Sequence, residues 1–151
     1  VDIAERWIAQ PTSGIFLTGL SGRGKTWFSA GIVRALVGAG KKVLFISAED
    51  FYLKLRSGFD NPGSSEVSIL SQFSDVEFLV LDDVGAGSLS DYERRSTLRL
   101  LDNRTNYLRP TIVTSNLTLE GIAEKLDERI ASRLSGFAHI VMTGRDRRGR
   151  S

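Results

Sequence analysis

Cysteine is absent from the 151 residues, and histidine occurs once, at His139. The first absence removes disulfide scaffolds, thiolate metal sites, iron–sulfur clusters and cysteine nucleophiles together. The second excludes zinc centres built on two or three histidines and leaves a histidine-based triad a single candidate. Nowhere do 18 apolar residues run consecutively, and the opening VDIAERW has neither the basic start nor the apolar stretch of a signal peptide. These absences predict a soluble, cytoplasmic protein with no membrane partner. The sequence begins at Val1 rather than Met and is expected to be a piece of a longer chain.

What is present is ordinary for a globular fold: 41% of residues are hydrophobic and 25% charged, which excludes disorder, collagen-like repeats and a coiled coil. The length predicts a single domain over 1–151, burying roughly 68% of its unfolded surface. The net charge of +2 hides an uneven placement. Arg145, Arg147, Arg148 and Arg150 stand against Asp146 alone in a basic tail, 145–151, without which the body holds 16 basic and 17 acidic residues. That tail is expected to be a solvated terminus, with a polyanion partner as the alternative.

Short apolar runs alternate with helical patterns. The spacing predicts strands at Ile15 to Thr18, Val43 to Ser47, Phe78 to Leu81, Thr111 to Thr114 and Ala138 to Met142, each continuous enough to be covered on both faces. Helices are predicted from Lys25 to Val37, apolar nearly all round and so buried, and from Ser90 to Tyr107, opened by the capping box Ser90-x-x-Glu93. A third, capped by Thr118, is predicted to run unbroken through Leu134. Gly58 to Ser65 reads as a surface loop. Alternating strands and helices imply an α/β fold with a parallel sheet and right-handed crossovers.

Gly19-Leu20-Ser21-Gly22-Arg23-Gly24-Lys25-Thr26 satisfies every fixed position of the phosphate-loop pattern, and it leaves a predicted strand to enter a predicted helix. Glycines let backbone N–H groups turn inward around phosphate oxygens, a lysine here faces the β and γ charges, and a Thr26 hydroxyl can ligate Mg²⁺. Fifty-seven residues after Lys25, the run FLVL ends in Asp82 and Asp83. At the carboxyl end of a strand both carboxylates can reach the ligand crevice of an open sheet. Asp82 is assigned to the metal and Asp83 to the attacking water. The strand TIVTSN ends in Asn116, a candidate contact to that water or to the γ-phosphate, or else a plain strand end and turn. In ERIASRL, Arg129 and Arg133 share one helix face opposite the apolar stripe, either solvated, paired with local acids, or reaching a neighbouring subunit's triphosphate.

Together GLSGRGKT, FLVLDDVGA, TIVTSN, LDERIASRLSG and the closing GRDRR resemble the AAA+ ATPase module of DnaC-type replicative helicase loaders, with IstB-type transposition helper ATPases similar in the same segments. The resemblance spans Ile15 to Arg148. It implies a P-loop NTPase three-layer sandwich whose five parallel strands take the order 5-1-4-3-2, of AAA+ type without a lid domain, the helicase-binding region lying outside this sequence. It implies ATP and Mg²⁺ as cofactors. Gly19, Gly22, Arg23, Gly24, Lys25, Thr26 and Trp27 would hold the nucleotide, and Thr26 and Asp82 the metal. Lys25, Asp83, Asn116, Arg133 and Arg129 would serve hydrolysis. Family members often carry Asp-Glu where this chain has Asp82-Asp83, which implies slow turnover. The implied partners are a replicative helicase, single-stranded DNA and further copies of the chain in a ring or spiral. For DNA the segment Glu49 to Asp75 offers Lys54 and Arg56 to phosphates and Tyr52 and Phe59 to bases, or else it is a plain crossover whose aromatics belong to the core. The alternatives are a transposition helper, an ATP-binding switch that barely hydrolyses, and a small-molecule kinase.

Overall fold

The computed structural model describes residues 2–9, 14–60 and 66–143. The chain opens with α1 (Asp2–Ala9), β1 (Ile15–Thr18), α2 (Lys25–Gly38) and β2 (Val43–Ser47). Two consecutive helices follow, α3 (Ala48–Asp60) and α4 (Glu66–Asp75), before β3 (Phe78–Asp82) and α5 (Asp91–Asn106). The remainder is β4 (Thr111–Ser115), α6 (Leu119–Lys125), α7 (Glu128–Ser135) and β5 (Ala138–Val141). All strand pairs are parallel and the order is β2-β3-β4-β1-β5. Read from the other edge, this is the 5-1-4-3-2 order that the sequence resemblance implies.

Strand alternation splits the core into two layers. Ile15, Leu17, Phe78, Val80 and Ile112 pack with Trp7 of α1 and with Ile32 and Leu36 of α2. Phe16, Leu79, Leu81 and Val113 face the opposite way, against Phe51 and Leu55 of α3, Phe73 of α4, Leu100 of α5 and Ile130 of α7. The three central strands are buried along their whole length. β2 and β5 are half exposed because they form the sheet edges, a difference from the expectation that every strand is covered on both faces.

Three helical expectations are corrected. α2 fully buries only Lys25, Ser29, Ile32 and Leu36, with Phe28 and Val33 partly buried against the same core layer, so it is covered on one side and its outer surface carries Trp27, 84% exposed. The helix predicted through Leu134 is two helices. Asp127 breaks it by adopting an extended backbone and accepting hydrogen bonds from the N–H groups of Arg129 (2.7 Å) and Ile130 (3.4 Å), the N-cap of a fresh helix. Gly58 lies inside α3 rather than in a loop, while 61–65 fall outside the described residues. The Ser90 cap holds, its hydroxyl accepting from Glu93 N at 3.1 Å.

Candidate nucleotide site

The phosphate-loop segment joins β1 to α2 at the carboxyl edge of the sheet. Gly19 must lack a side chain because a Cβ there would stand 2.6 Å from the Met142 carbonyl beyond β5. Gly24 occupies the N-cap of α2 at φ +88°, a left-handed backbone that suits glycine. The helix therefore starts with Lys25, whose Nζ donates to the carbonyls of Gly19 (2.6 Å) and Leu20 (3.0 Å). Lys25 is only 7% exposed. The cation is thus anchored by its own loop at the wall of a cavity of about 680 Å³.

The same cavity is lined by Ser21, Gly22, Gly24, Thr26 and Trp27 from the loop and α2, by Asp82 and Asp83 after β3, and by Thr114 and Asn116 from β4. Thr26 Oγ1 donates to Asp82 Oδ2 at 3.2 Å, and Thr114 Oγ1 donates to Asp82 Oδ1 at 2.7 Å. The Thr114 hydroxyl also accepts from Asp83 N at 2.8 Å. Next along, Ser115 Oγ donates to the Val84 carbonyl at 2.6 Å and accepts from Leu117 N at 3.0 Å. Asp83 itself sits at φ +60°. In an ideal strand two successive side chains point to opposite faces; the left-handed turn at Asp83 abandons that alternation, and both carboxylates line one cavity.

The oxygen donors fit a hard cation. The hydroxyl of Thr26 and the carboxylate of Asp82 converge, and among the described residues no group of three or more histidine, cysteine or acidic side chains gathers to hold a metal unaided. Such a donor set suits Mg²⁺, which keeps most of its ligands from phosphate and water.

The other residues singled out by sequence are more dispersed. Gly19 and Arg23 shape the loop, Arg23 N donating to Leu20 O at 3.3 Å. Arg129 and Arg133 lie on α7, away from the cavity lining. Arg129 pairs with Asp127 at 3.0 Å, and its hydrogen bond holds the Asp127 carboxyl below the usual carboxylate range. Arg133 pairs with Asp102 of α5 and borders a smaller cavity with Gly14, Arg104 and Phe137, at the sheet end where the strands begin. Lys54 and Arg56 are exposed on α3. Arg56 helps to line a second cavity of about 440 Å³ together with Glu49, Glu93 and Asp83.

Tyr52 is not available to a base. It is 5% exposed, its hydroxyl is bonded to Thr97 at 2.7 Å, and burial pushes its pKa up to about 12. The side chain of Phe59 and the tail 145–151 lie outside the described residues.

A family model described as "IstB-like ATP binding protein" matches residues 4–148. The chain belongs to the IstB-like ATP-binding family. This IstB-like domain is 32% identical over 122 residues to the replicative helicase loader DnaC of Escherichia coli strain K12, covering 81% of the chain and 50% of that protein. It spans about half the length of the curated relatives it matches. Among solved structures, one of the DnaC helicase loader superposes with a TM-score of 0.82 at 24% identity, covering 93% of this chain and 86% of that one. A replication initiator DnaA bound to AMPPCP and single-stranded DNA gives 0.85 at 18% identity, covering 95% and 45%. The IstB-like domain therefore has the AAA+ P-loop fold, and no helix among its described residues is long and apolar enough to cross a membrane.

Sequence reading missed Thr114, Asp102 and Asp127. Asp127 had a signal, a capping residue directly before a charged helical turn. Thr114 had half of one, a hydroxyl at the penultimate position of β4, directly after the apolar pair Ile112-Val113. The Arg133 partner had none, because Asp102 lies 31 residues away on another helix.

Proposed function

We propose that this domain binds ATP with Mg²⁺ and hydrolyses it slowly, as the ATPase module of a DNA replication helicase loader whose nucleotide state governs helicase and single-stranded DNA binding. One observation carries the reading: Lys25, Thr26, Asp82, Asp83 and Asn116, scattered over 92 positions of sequence, line a single cavity at the carboxyl edge of the sheet. Lys25 faces the phosphate charge, the loop N–H groups cradle the oxygens, and Trp27 flanks the mouth. Thr26 and Asp82 would hold Mg²⁺, which when bound draws charge from the phosphate oxygens and aligns them. Asp83 orients the attacking water and takes its proton, while Asn116 bonds to that water or to the terminal phosphate.

Helicase and DNA binding are supported by the names of the relatives, a replicative helicase loader and an initiator bound to single-stranded DNA. The helicase contact is assigned to parts of the full protein beyond this single domain. Lys54 and Arg56, exposed on α3, are assigned to DNA phosphates. Losing both is expected to lower the salt slope of DNA binding by roughly 1.4, at ~0.7 per phosphate contact on a single strand. Arg133, with Arg129 beside it, is assigned to a neighbouring copy's triphosphate in a ring or spiral, since both stand outside the cavity of their own chain.

Asp83→Asn tests the enzyme reading. Nucleotide affinity should stay within about threefold while hydrolysis falls by ~100-fold; an equal loss of both would make Asp83 a structural cap. Mixing Arg133→Ala with Lys25→Ala tests assembly, because one supplies an intact site and the other an intact arginine. Restored hydrolysis is expected, and its absence would return Arg133 to the surface role its Asp102 pair suggests. A second reading, an ATP-binding switch with little turnover, is favoured by the short Asp83 side chain, and single-turnover hydrolysis with and without DNA separates the two.

A further inference from the structure

Asp82 and Asp83 cannot arrange themselves. Adjacent residues of a strand diverge, and the left-handed backbone at Asp83, φ +60°, costs an ordinary residue about 1–2 kcal/mol. Something must hold the pair in this shape, and β4 supplies it. Thr114 is 1% exposed, and its hydroxyl has two partners, both in the pair: it donates to Asp82 Oδ1 at 2.7 Å and accepts from Asp83 N at 2.8 Å. Its main-chain carbonyl accepts from Val84 N at 2.9 Å, closing the turn on the far side of Asp83.

We propose that Thr114 is a positioning residue for hydrolysis: one buried hydroxyl fixes both the rotation of the Asp82 carboxylate and the backbone turn that brings Asp83 into the same cavity. The proposal rests on the ATPase reading above. The division of labour at Asp82 supports it. Thr114 holds Oδ1 at 2.7 Å, and the Thr26 hydroxyl lies nearer Oδ2 (3.2 Å) than Oδ1 (3.5 Å), so the oxygen turned more closely toward the metal-binding threonine is the one that the Thr114 bond leaves open. The direction of donation matters as well. A hydroxyl can give one hydrogen bond while accepting another; valine of the same shape can do neither, and serine can do both.

Three variants of the full chain decide it. Thr114→Val should keep ATP affinity within about threefold and lower kcat by ~10- to ~100-fold, the range in which small misplacements of catalytic groups fall. Thr114→Ser should restore kcat to within about threefold of the unmutated protein, although it loses from a packed site the methyl group that valine keeps. A readout independent of turnover accompanies them: in nucleotide-free protein, hydrogen exchange at the Asp83 amide should accelerate in Thr114→Val and remain slow in Thr114→Ser, while the Val84 amide stays protected in both. If Thr114→Val does not fold, Thr114→Cys takes its place, keeping volume with a poor donor, and should fall between serine and valine. Equal kcat in the valine and unmutated proteins, or serine performing no better than valine, overturns the assignment. Absence of hydrolysis by the unmutated protein, with or without single-stranded DNA, overturns the ATPase reading and this proposal with it; hydrolysis that is indifferent to Thr114 overturns the proposal alone.

Discussion

Two buried cations mark the two ends of the sheet, and they behave in opposite ways. At the carboxyl edge Lys25 is held by two carbonyls five and six residues away, within its own loop, and borders a cavity of about 680 Å³. At the other end Arg104, fully buried, donates to Thr111 Oγ1 and to the carbonyls of Phe73, Ser74, Val76, Glu77 and Pro110 at 2.7 to 3.2 Å. It ties the turns that lead into β3 and β4. Burial pulls its pKa down to about 10, still far above neutrality, so the charge persists. A lysine presents a compact charge to a ligand, whereas a guanidinium presents a fork that several carbonyls can saturate. One cation borders an open cavity, and the other is closed over by main chain.

The largest expected effect in this contrast belongs to Arg104. Arg104→Met leaves buried carbonyls without donors at ~1–3 kcal/mol each, so a loss of about 4 kcal/mol or more is expected in urea denaturation. That is a large part of a typical stability of ~5–15 kcal/mol. A loss below about 1 kcal/mol would remove the contrast, since Arg104 would then be no clamp. Lys25→Ala should do the reverse, leaving the unfolding midpoint nearly in place while ATP affinity by calorimetry falls ~100-fold or more, about 2.7 kcal/mol. Unchanged affinity would end the phosphate-loop assignment.

A smaller effect tests whether α7 is a separate unit. Asp127→Ala removes the cap that begins it and should cost about 1 kcal/mol at neutral pH. Because the folded carboxyl is held below its ordinary value near ~3.9 by Arg129, that stability is fully present above the unfolded pKa and is lost as pH falls through the lower folded one. The variant and the unmutated protein should therefore converge only in strong acid, and convergence already at pH 5 would mean that the cap is made by something else. The smallest effect is at Asp102→Asn, where breaking a half-exposed ion pair with Arg133 should cost under ~1 kcal/mol. A larger cost would mean that Arg133 is a fixture of the α5–α7 contact rather than a group able to leave it.

The same two cations show why some of this protein is legible in its sequence and some is not. The two carbonyls that Lys25 bonds lie in the loop that carries it, so eight consecutive residues announce the candidate site. Asp82, Asp83 and Asn116 are legible because each ends an apolar run, and strand ends meet at one edge of a parallel sheet. The carbonyl partners of Arg104 at the end of α4 and in the turn before β3 lie 27 to 31 residues away and contribute only main-chain oxygens, which any residue would offer. The helical spacing places Arg104 on the stripe of Thr97, Leu100 and Leu101, unlike the exposed Arg95 and Arg99, but nothing in the sequence says which groups would meet its charge there. Strand order came from the family resemblance, because alternation alone does not say which strand pairs with which. The break at Asp127 was hidden by an apolar spacing that continues across it, Leu126 and Ile130 being four apart on either side of the cap.

The outer face of α2 has a practical consequence. The chain has two tryptophans, and the fold has sorted them: Trp7 is 6% exposed with its ring edge-on to Phe78, and Trp27 is 84% exposed at the cavity mouth. Their emission should separate accordingly, a blue component shielded from acrylamide and iodide and a red component open to both. The red one sits beside the place where a nucleotide would enter, and the blue one reports only whether α1 is seated. One cuvette thus distinguishes occupancy from unfolding without a label.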